Sequence, residues 1–389
     1  MDGKARMKKI VLIGPVYPYR GGISHYTGLM YRELAKHYEV EMISYKMQYP
    51  KFLFRKEQRD YENDSFKIEQ TNFMINTANP FNIIRTARYI RKKKPDMVLI
   101  QWWHPYFAPC YFLLAKFMGK QNITFVCHNV FPHERFPLDK KLTRLTLKNG
   151  THFIVHAREE QTELKQIMSH PDCQVTPHPS YNAFCFEHMT KAQARERLGL
   201  LADEKVLLLF GFVRPYKGLK YLINAMPRVK ECLGNIKLLV VGEFAGPDDK
   251  AAYMRQIKEL SAADAALEAS ILIYDGYTPD REVEQYFAAS DMVVLPYESA
   301  TQSGIVQIAY GFGKPVVVTD VGGLPDVVSH DRTGYVVPPR DEKALAEAIV
   351  RYFTEHKEAE FAGNIAAEAY RFSWERMGEV VGNFLEGRN

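Results

Sequence analysis

The segment IGPVYPYRGG at 13–22 returns almost letter for letter as FGFVRPYKGL at 210–219. Each copy follows an apolar strand, KKIVLIG at 8–14 or KVLLLFG at 205–211, and precedes an amphipathic helix. A glycine-containing basic loop in this position can hold a phosphate, because glycine admits the anion and the helix N-terminus attracts it. The repeat predicts two similar α/β domains that share one anionic ligand. The alternative is chance, since such turns often contain Gly and Pro.

Strands and helices alternate along the rest of the chain, and the strands are short and rich in Val, Ile and Leu. Examples are DMVLIQWW at 96–103 and NIKLLVVG at 235–242. This pattern predicts parallel sheets that are covered by helices on both faces. In such sheets ligands bind beyond the carboxyl ends of the strands, where both repeated loops lie. The segment 46–75 has only weak periodicity and predicts no regular element.

The segment VTPHPSYNAF at 175–184 has the proline and histidine content of a linker. It separates a first domain over 1–183 from a second domain that begins at residue 184. The length of 389 residues and the hydrophobic content of 46% are typical of a globular chain with two domains.

The N-terminal MDGKARMKK leads directly into a strand and lacks the pattern of a signal peptide. The longest apolar run, PYFAPCYFLLA at 105–115, is too short to span a bilayer. The five cysteines are scattered and have no CxxC spacing, which indicates reduced thiols. Together these features predict a cytoplasmic protein.

Charge is distributed unevenly, because residues 1–180 hold 28 Lys and Arg against 16 Asp and Glu. Basic clusters with interleaved apolar residues lie at 51–59, 85–94 and 140–148. They suit peripheral contact with an anionic membrane surface, on the inner face of the membrane, and equally an ordinary solvated surface. Nucleic acid is not expected as a partner, since nothing else in the chain resembles a nucleic-acid module.

The second repeated loop carries the sharper chemistry. Arg214 and Lys217 flank a proline turn just before a helix. Charged hydrogen bonds from such cations to phosphate are worth roughly 1.5–3 kcal/mol each, so the pair could stabilise a departing diphosphate without a metal. Two solvated surface cations are the alternative. Neither loop has the G-x-G-x-x-G of a dinucleotide site, and no GxxxxGK[ST] occurs, which argues against a dehydrogenase and a P-loop NTPase.

These residues resemble the retaining, nucleotide-sugar-dependent glycosyltransferases of family four, also called group one. The resemblance covers nearly the whole chain and is most specific in its last two hundred residues. The motifs that carry it are PYRGGISHYT at 18–27, CHN at 127–129, FGFVRPYKGL at 210–219, VVLPYESATQSGIVQIAYGFGKPVVVTDVGGLPDVV at 293–328, TGYVVPPRD at 333–341 and SWERM at 373–377.

The resemblance implies the GT-B fold, in which two Rossmann-like domains face each other across a cleft. The second domain would span 184–370, and residues 371–389 would form a C-terminal helix that crosses back to the first domain. The first domain would serve the acceptor and the second the nucleotide sugar. Arg214 and Lys217 would grip the donor diphosphate and act as catalytic residues. The residues expected to bind the donor are Gly21, Gly22, Glu298, Thr301, Gln302, Ser303, Gly304 and Gln307.

One departure from the family pattern concerns two glutamates that are usually separated by seven residues. Counting back from the GKP turn, their positions fall on Ala300 and Ile308. Glu298 and Gln307 are the nearest polar residues. A shift of one residue rotates a helical side chain by about 100°, so Gln307 is not a simple substitute. The intact surrounding motifs favour a divergent subgroup over an inactive enzyme.

In the first domain, the resemblance suggests that His128 contacts the donor sugar or polarises the acceptor hydroxyl. A histidine packed at a strand end is the alternative. Trp102, Trp103 and His104 follow another strand, where aromatic rings suit a sugar or a lipid-bearing acceptor. They could equally belong to the core.

The expected activity is retaining transfer of a sugar, such as a hexosyl group, from a nucleoside-diphosphate sugar to a glycan or lipid-linked acceptor in the synthesis of cell-envelope polysaccharide or glycolipid. No cofactor and no metal is expected, because no DxD-type carboxylate pair or histidine cluster occurs in a phosphate-facing loop. Two alternatives stay open, namely a sugar-nucleotide epimerase on the same scaffold and a non-catalytic, membrane-associated protein that binds sugar nucleotides.

Overall fold

The structure is a computed structural model that describes residues 6–53, 57–62, 64–132, 136–180, 182–262, 264–300 and 302–387. Its contacts divide the chain into two compact units. Unit 1 comprises Met1–Pro177 and Ser373–Asn389, and unit 2 comprises His178–Phe372. The sequence predicts boundaries at 183/184 and 370/371, a few residues away.

Unit 1 contains a parallel sheet. Its strands are β1 Lys9–Ile13, β2 Glu39–Met47, β3 Thr71–Asn76, β4 Met97–Trp102, β5 Ile123–Cys127, β6 His152–Val155 and β7 Cys173–Val175. Its first helices are α1 Gly22–Leu34, α2 Pro80–Lys93, α3 Ala108–Met118, α4 Asp139–Leu147 and α5 Arg158–Ile167. Within the described residues, the strand order is β3-β2-β1-β4-β5-β6-β7. The edge strand β3 lies partly in the segment for which the sequence predicts no element, and its half-exposed residues explain the weak signal.

Helices cover both faces of this sheet, because successive residues of a strand point to opposite sides. Val11 and Ile13 pack in one core cluster with side chains of α2, α3 and α4. Ile10 and Leu12 pack in a second cluster that includes Tyr26 of α1. The strands are therefore buried on both faces, as their unbroken apolar runs predict.

Unit 2 repeats this architecture. Its strands are β8 Lys205–Phe210, β9 Ile236–Val241, β10 Ile271–Tyr274, β11 Met292–Leu295, β12 Val316–Thr319 and β13 Gly334–Val337. Its helices are α6 Lys191–Leu198, α7 Leu219–Leu233, α8 Pro247–Leu260, α9 Ala265–Glu268, α10 Asp280–Ala289, α11 Gly304–Gly311, α12 Leu324–Val327, α13 Glu342–Thr354 and α14 Glu358–Ala367. Among its described residues, the parallel strands lie in the order β10-β9-β8-β11-β12-β13.

The two repeated loops occupy equivalent places in the two sheets. β1 lies between β2 and β4, and β8 lies between β9 and β11, so the strand order reverses beside each of them. Ligands of open α/β sheets bind at the carboxyl end of such a switch point. The loops that follow β1 and β8 therefore occupy the expected ligand position of their own sheets.

The last helix, α15 Trp374–Glu386, belongs to unit 1 and packs on α1. Met377, Val380, Val381 and Phe384 of α15 are almost fully buried in the cluster that contains Ile10 and Leu12. The prediction that the C-terminal helix returns to the first domain is confirmed. In the described parts of the chain, no helix combines the length and apolarity needed to cross a membrane.

Candidate functional site

The loop after β8 is built around two glycines with left-handed backbone angles. Gly211 has φ +97° and Gly218 has φ +70°, and the short 3₁₀ turn Pro215–Lys217 lies between them. A Cβ atom at Gly218 would lie 1.9 Å from the carbonyl oxygen of Pro296. Only glycine fits this position, because both the angle and the contact exclude a side chain. The loop is thus held closely against the end of β11.

Lys217 is partly buried within unit 2. Its Nζ lies 5.5 Å from the centre of the Tyr297 ring. Among the described residues, it has neither a carboxylate nor any other hydrogen-bond partner. Burial lowers the pKa of Lys217, and the charge of Arg214 lowers it further. A partly buried ammonium without a counter-charge is suited to receive an anion.

The first turn of α11 lies beside this ammonium. A Cβ at Gly211 would be 3.3 Å from Nζ of Lys217 and 3.3 Å from Cδ1 of Ile305, so both flank the same end of β8. Ser303 caps α11 without a capping hydrogen bond from its side chain, and its Oγ lies 3.4 Å from the hydroxyl of Tyr297. A lysine and a helix N-terminus together form an anion-binding environment.

The remaining predicted residues of this loop are arranged as follows. Gln302 immediately precedes Ser303 and is partly exposed, and Gly304 is the first residue of α11. Thr301 lies outside the described residues. Arg214 is exposed, and its guanidinium carbon lies 4.9 Å from the centre of the Phe212 ring. Arg214 therefore adds charge at the mouth of the loop, whereas Lys217 lies deeper.

Glu298 is held by two cations. Its carboxylate lies 2.9 Å from Nζ of Lys220 and 3.0 Å from Nη2 of Arg340, and Tyr221 donates a hydrogen bond of 3.3 Å. The hydrogen bond from Lys220 is the largest cause that lowers the pKa of Glu298. The carboxylate is thus ionised and oriented, and its oxygens are already engaged within unit 2.

Gln307 points into the fold. It is 1% exposed, and its Oε1 has no hydrogen-bond partner among the described residues. Ile308, at the position where the family pattern has a glutamate, is also buried. An orphaned buried acceptor is uncommon and needs an explanation, such as a ligand that donates to it.

In unit 1, the loop after β1 ends at Gly21, with φ +106°, and Gly22 begins α1. A Cβ at either glycine would meet no atom within 4 Å, so the loop leaves open space here. A cavity of about 220 Å³ adjoins it. Its lining includes Gly21, Gly22, Gln48, Tyr49, Gln58 and Trp103.

Trp103 forms an aromatic wall of this cavity. Its indole Nε1 donates a hydrogen bond of 3.2 Å to the hydroxyl of Tyr49. The centroids of the Trp103 and Phe107 rings are 4.2 Å apart. Gln58 bonds both the backbone N–H and the carbonyl of Tyr49, at 3.2 and 3.0 Å. Burial raises the pKa of Tyr49 to about 12, so the hydroxyl stays neutral. These contacts hold the Trp103 ring in place, and part of the ring is exposed.

Trp102 takes a different position. It is 0% exposed, and its Nε1 donates to the carbonyl of Val130 at 3.3 Å. The indole of Trp102 belongs to the core, which was one of the two possibilities that the sequence left open. Trp102 therefore offers no surface to an acceptor. His104 is partly buried, accepts a hydrogen bond from the N–H of Tyr106 at 3.0 Å, and has a pKa lowered by burial.

His128 is 8% exposed at the end of β5. Its Nε2 lies 2.7 Å from Oε1 of Gln101, and its ring packs edge-on against Tyr26 with centroids 4.6 Å apart. Because the amide oxygen accepts, Nε2 carries the ring proton. Gln101 therefore fixes both the tautomer and the orientation of the imidazole.

Two groups of residues were not singled out by the sequence reasoning. Tyr297 lies beside Lys217 and Ser303, and Tyr49 and Gln58 support Trp103. An aromatic residue two positions after the end of β11 was the available signal for Tyr297. The pair in unit 1 gave no signal, because it lies in the segment without periodicity. No group of three or more potential metal ligands occurs among the residues that the structure describes.

Two family descriptions match the chain. "Glycosyltransferase Family 4" matches residues 20–179, and "Glycosyl transferases group 1" matches residues 204–355. Between them they cover most of the chain, in the order that the motifs predict. The resemblance inferred from the motifs is therefore confirmed.

Among curated proteins, the chain is similar to the D-inositol 3-phosphate glycosyltransferase of Mycobacteroides abscessus, with 30% identity over 57% of this chain and 48% of the relative. It is also similar to the lipopolysaccharide 1,2-N-acetylglucosaminetransferase of Salmonella typhimurium, with 27% identity over 51% of this chain and 53% of the relative. The matches span about half the length of these curated relatives.

Among solved structures, the chain is similar to Anabaena HepE in complex with UDP. The TM-score is 0.73 at 20% identity, and the match covers 98% of this chain and 100% of HepE. This likeness concerns the fold, and it confirms the predicted class of two Rossmann-like domains of the GT-B type.

Proposed function

This chain belongs to the family 4, group 1 glycosyltransferases, and we propose that it transfers a sugar from a nucleoside-diphosphate sugar to a hydroxyl group of a glycan or lipid-linked acceptor. We further propose that the anomeric configuration is retained and that the product belongs to a cell-envelope polysaccharide or glycolipid. The similarity to the Salmonella lipopolysaccharide enzyme supports the envelope role.

The observation that carries this proposal is the environment of Lys217. Lys217 is partly buried, burial lowers the pKa of its ammonium, and no carboxylate among the described residues pairs with it. Keeping a cation in such a place is costly unless an anion pairs with it. The N-terminus of α11 lies at the same end of β8 as this ammonium. A diphosphate suits this combination of a point charge and helix amides.

The proposed role of this site is to stabilise the leaving group. The bond between the anomeric carbon and the phosphate oxygen breaks, and negative charge builds on the nucleoside diphosphate. Lys217, Arg214 and the amides near Ser303 and Gly304 would be aimed at that charge before the reaction starts. Such preorganised groups are usually the largest contribution to catalysis.

The acceptor oxygen would form the new bond to the anomeric carbon on the face that the phosphate leaves. The proton of the acceptor hydroxyl would pass to the departing phosphate oxygen, which balances the charge. This scheme requires no protein nucleophile and no cofactor. We expect no metal, because Arg214 and Lys217 would neutralise the negative charge of the diphosphate.

Unit 1 would supply further contacts in this proposal. Gly21 and Gly22 leave space for a ligand beside the N-terminus of α1. Trp103 and His104 would contact the acceptor, and the buried Trp102 is left out of this role. His128, fixed by Gln101, would contact the donor sugar or polarise the acceptor hydroxyl through its ring.

Donor residues in unit 2 complete the proposal. Ser303, Gly304 and Gln302 would approach the diphosphate, and Thr301 stays a sequence-based prediction. Glu298 and Gln307 would approach the sugar and the ribose, although the two family glutamates are absent. The orphaned Oε1 of Gln307 supports a contact with a donating hydroxyl.

The test is an incubation of the protein with UDP-, GDP- and ADP-sugars, with and without acceptors extracted from bacterial envelopes. A glycosyltransferase forms product only when the acceptor is present, and NMR of the new linkage reports the anomeric configuration. A new sugar nucleotide in the absence of acceptor would identify an epimerase. Donor binding without transfer to any acceptor would identify a binding protein.

A further inference from the structure

Three neighbouring helices of unit 1 carry a nearly uniform positive charge. α2 packs on α3, and α3 packs on α4. The only acidic residue within these three helices is Asp139, which is 5% exposed. Exposed basic residues of α2 and α4, without an ion pair among the described residues, include Arg85, Arg88, Arg91, Lys140, Lys141 and Arg144. The outer surface of these helices is thus basic, and no exposed acidic residue within them balances this charge.

Exposed apolar side chains lie in the turn after β2 and at the N-terminal ends of α2 and α4. Phe52 is 78% exposed and Leu53 is 57% exposed, in the turn after β2. Phe81, in the first turn of α2, is 85% exposed, and Leu138, directly before α4, is 61% exposed. Large side chains that are exposed together mark an interaction surface.

A shallow groove adjoins Phe52 and Leu53. It has a volume of about 600 Å³, and its lining includes Pro50, Phe52, Leu53, Tyr106, Phe136 and Leu142. Phe136 also borders a second depression, which Leu138, Lys140 and Lys141 line. The apolar groove and the basic start of α4 are therefore continuous.

We propose that this face of unit 1 docks on an anionic phospholipid bilayer. Phe52, Leu53 and Leu138 would enter the region between the headgroups and the acyl chains. The basic residues of α2 and α4 would lie against the charged surface. This combination of an apolar edge and a polybasic face is how interfacial proteins bind membranes.

The chemistry of the apolar residues favours lipid over nucleic acid. Acyl chains pack against aliphatic and aromatic side chains alike. Of this surface, the aromatic Phe52, Tyr106 and Phe136 could also stack on bases, whereas the aliphatic Leu53, Leu138 and Leu142 could not. The proline-lined groove likewise suits an acyl chain. Basic charge alone would attract either polyanion, so the apolar edge decides between them.

The experiment is flotation of the full chain with vesicles of phosphatidylcholine alone and of an equal mixture of phosphatidylcholine and phosphatidylglycerol. One variant combines Phe52→Ser with Leu53→Ser. A second combines Lys140→Gln, Lys141→Gln and Arg144→Gln. The matched control in unit 2 combines Leu201→Ser, Arg255→Gln and Lys258→Gln, all at exposed positions.

The unmodified chain should bind the anionic vesicles and not the neutral ones, and binding should weaken at high salt. The triple basic variant should lose roughly a hundredfold in partition coefficient, from about fivefold per basic residue. The double apolar variant should also bind less, whereas the control should bind normally. Circular dichroism of each variant establishes that it is folded.

Equal binding to neutral vesicles would contradict the electrostatic part of the proposal. Unchanged binding of both variants would overturn it, as would binding to polyuridylate with no binding to vesicles. Nucleotide binding is measured on the same samples and should be unaffected. A failure of the membrane proposal can therefore be told apart from a failure of the proposed transfer reaction.

Discussion

The environment of Lys217 is hard to explain by stability. Its lowered pKa means that folding disfavours the charged form. Between the lowered pKa and the ordinary lysine value of 10.5, the unfolded chain binds more protons, so this residue makes stability rise with pH in that window. At neutral pH the buried charge opposes folding. A residue that costs stability at such a place is expected to serve function.

Replacing this charge should therefore separate stability from activity. We expect Lys217→Met to slow transfer by about 10²–10³-fold, the usual effect of removing one stabilising group from the transition state. Its melting temperature at neutral pH should equal or exceed that of the unmodified chain. Turnover and thermal unfolding measure the two effects. Normal turnover in this variant would remove Lys217 from the mechanism.

Gln307 offers a second test at this scale. Because Oε1 is buried without a partner, Gln307→Leu should leave the free energy of unfolding unchanged or raise it. If the amide accepts from a donor hydroxyl, the dissociation constant for the donor should rise roughly threefold to tenfold. Titration of the nucleotide sugar measures this change. Unaltered affinity would assign Gln307 to the core alone.

At the scale of elements, the loop between β8 and α7 depends on its glycines. Gly218→Ala places a Cβ 1.9 Å from the carbonyl oxygen of Pro296, and the backbone must move. Gly199 ends α6 with a similar φ of +67°, and a Cβ there meets nothing within 4 Å. We expect Gly199→Ala to cost about 1 kcal/mol and Gly218→Ala to cost clearly more and to weaken nucleotide binding.

Urea unfolding of the two variants, together with nucleotide titration, makes this comparison. Gly199 and Gly218 have similar backbone angles, so the cost of the left-handed conformation is the same in both variants and cancels when their stability losses are compared. The remaining difference in the free energy of unfolding reports the contact between the loop and the end of β11. Equal stability losses in the two variants would mean that the loop can retreat from β11.

The elements also explain which parts of the fold the sequence could predict. Central strands such as β8 are buried on both faces, so their apolar runs are unambiguous. The strands β3 and β7 lie at the two edges of the sheet in unit 1 and were not predicted. They are short or half exposed and therefore lack an unbroken apolar run. The helix α15 was predicted through the family motif SWERM rather than through periodicity.

The site was predictable to a similar extent. Arg214 and Lys217 could be identified because the same strand–loop–helix connection occurs twice in the sequence, at 13–22 and at 210–219. Burial could not be read from the sequence, so Trp102 and Trp103 looked equivalent, although one is core and the other lines a cavity. Neighbours from distant strands, such as Gln101 beside His128, depend on sheet order.

At the scale of the whole molecule, unit 1 is assembled from both ends of the chain. Four side chains of α15 are almost fully buried in its core, namely Met377, Val380, Val381 and Phe384. At about 1.5–3 kcal/mol for each side chain, their removal costs roughly 6–12 kcal/mol, which is comparable with the stability of a domain.

Deleting residues 373–389 should therefore unfold unit 1 and spare unit 2. The protein has three tryptophans, and all of them lie in unit 1, so their emission reports that unit selectively. We expect Trp102 and Trp103 to show the emission of exposed indoles in the truncated chain. Circular dichroism should retain part of the helical signal from unit 2. Native-like emission after the deletion would contradict this account of α15.

The central claim is that the loop carrying Lys217 binds the diphosphate of a nucleotide. Calorimetric titration with UDP, GDP and ADP tests it most directly, on the unmodified chain, on Lys217→Met and on the control Lys230→Met. Lys230 lies in α7 and is paired with Asp264. We predict that the unmodified chain and the control bind at least one nucleotide equally, and that Lys217→Met binds it roughly ten- to a hundredfold more weakly. Equal affinity in all three proteins, or no binding of any nucleoside diphosphate, would contradict the claim.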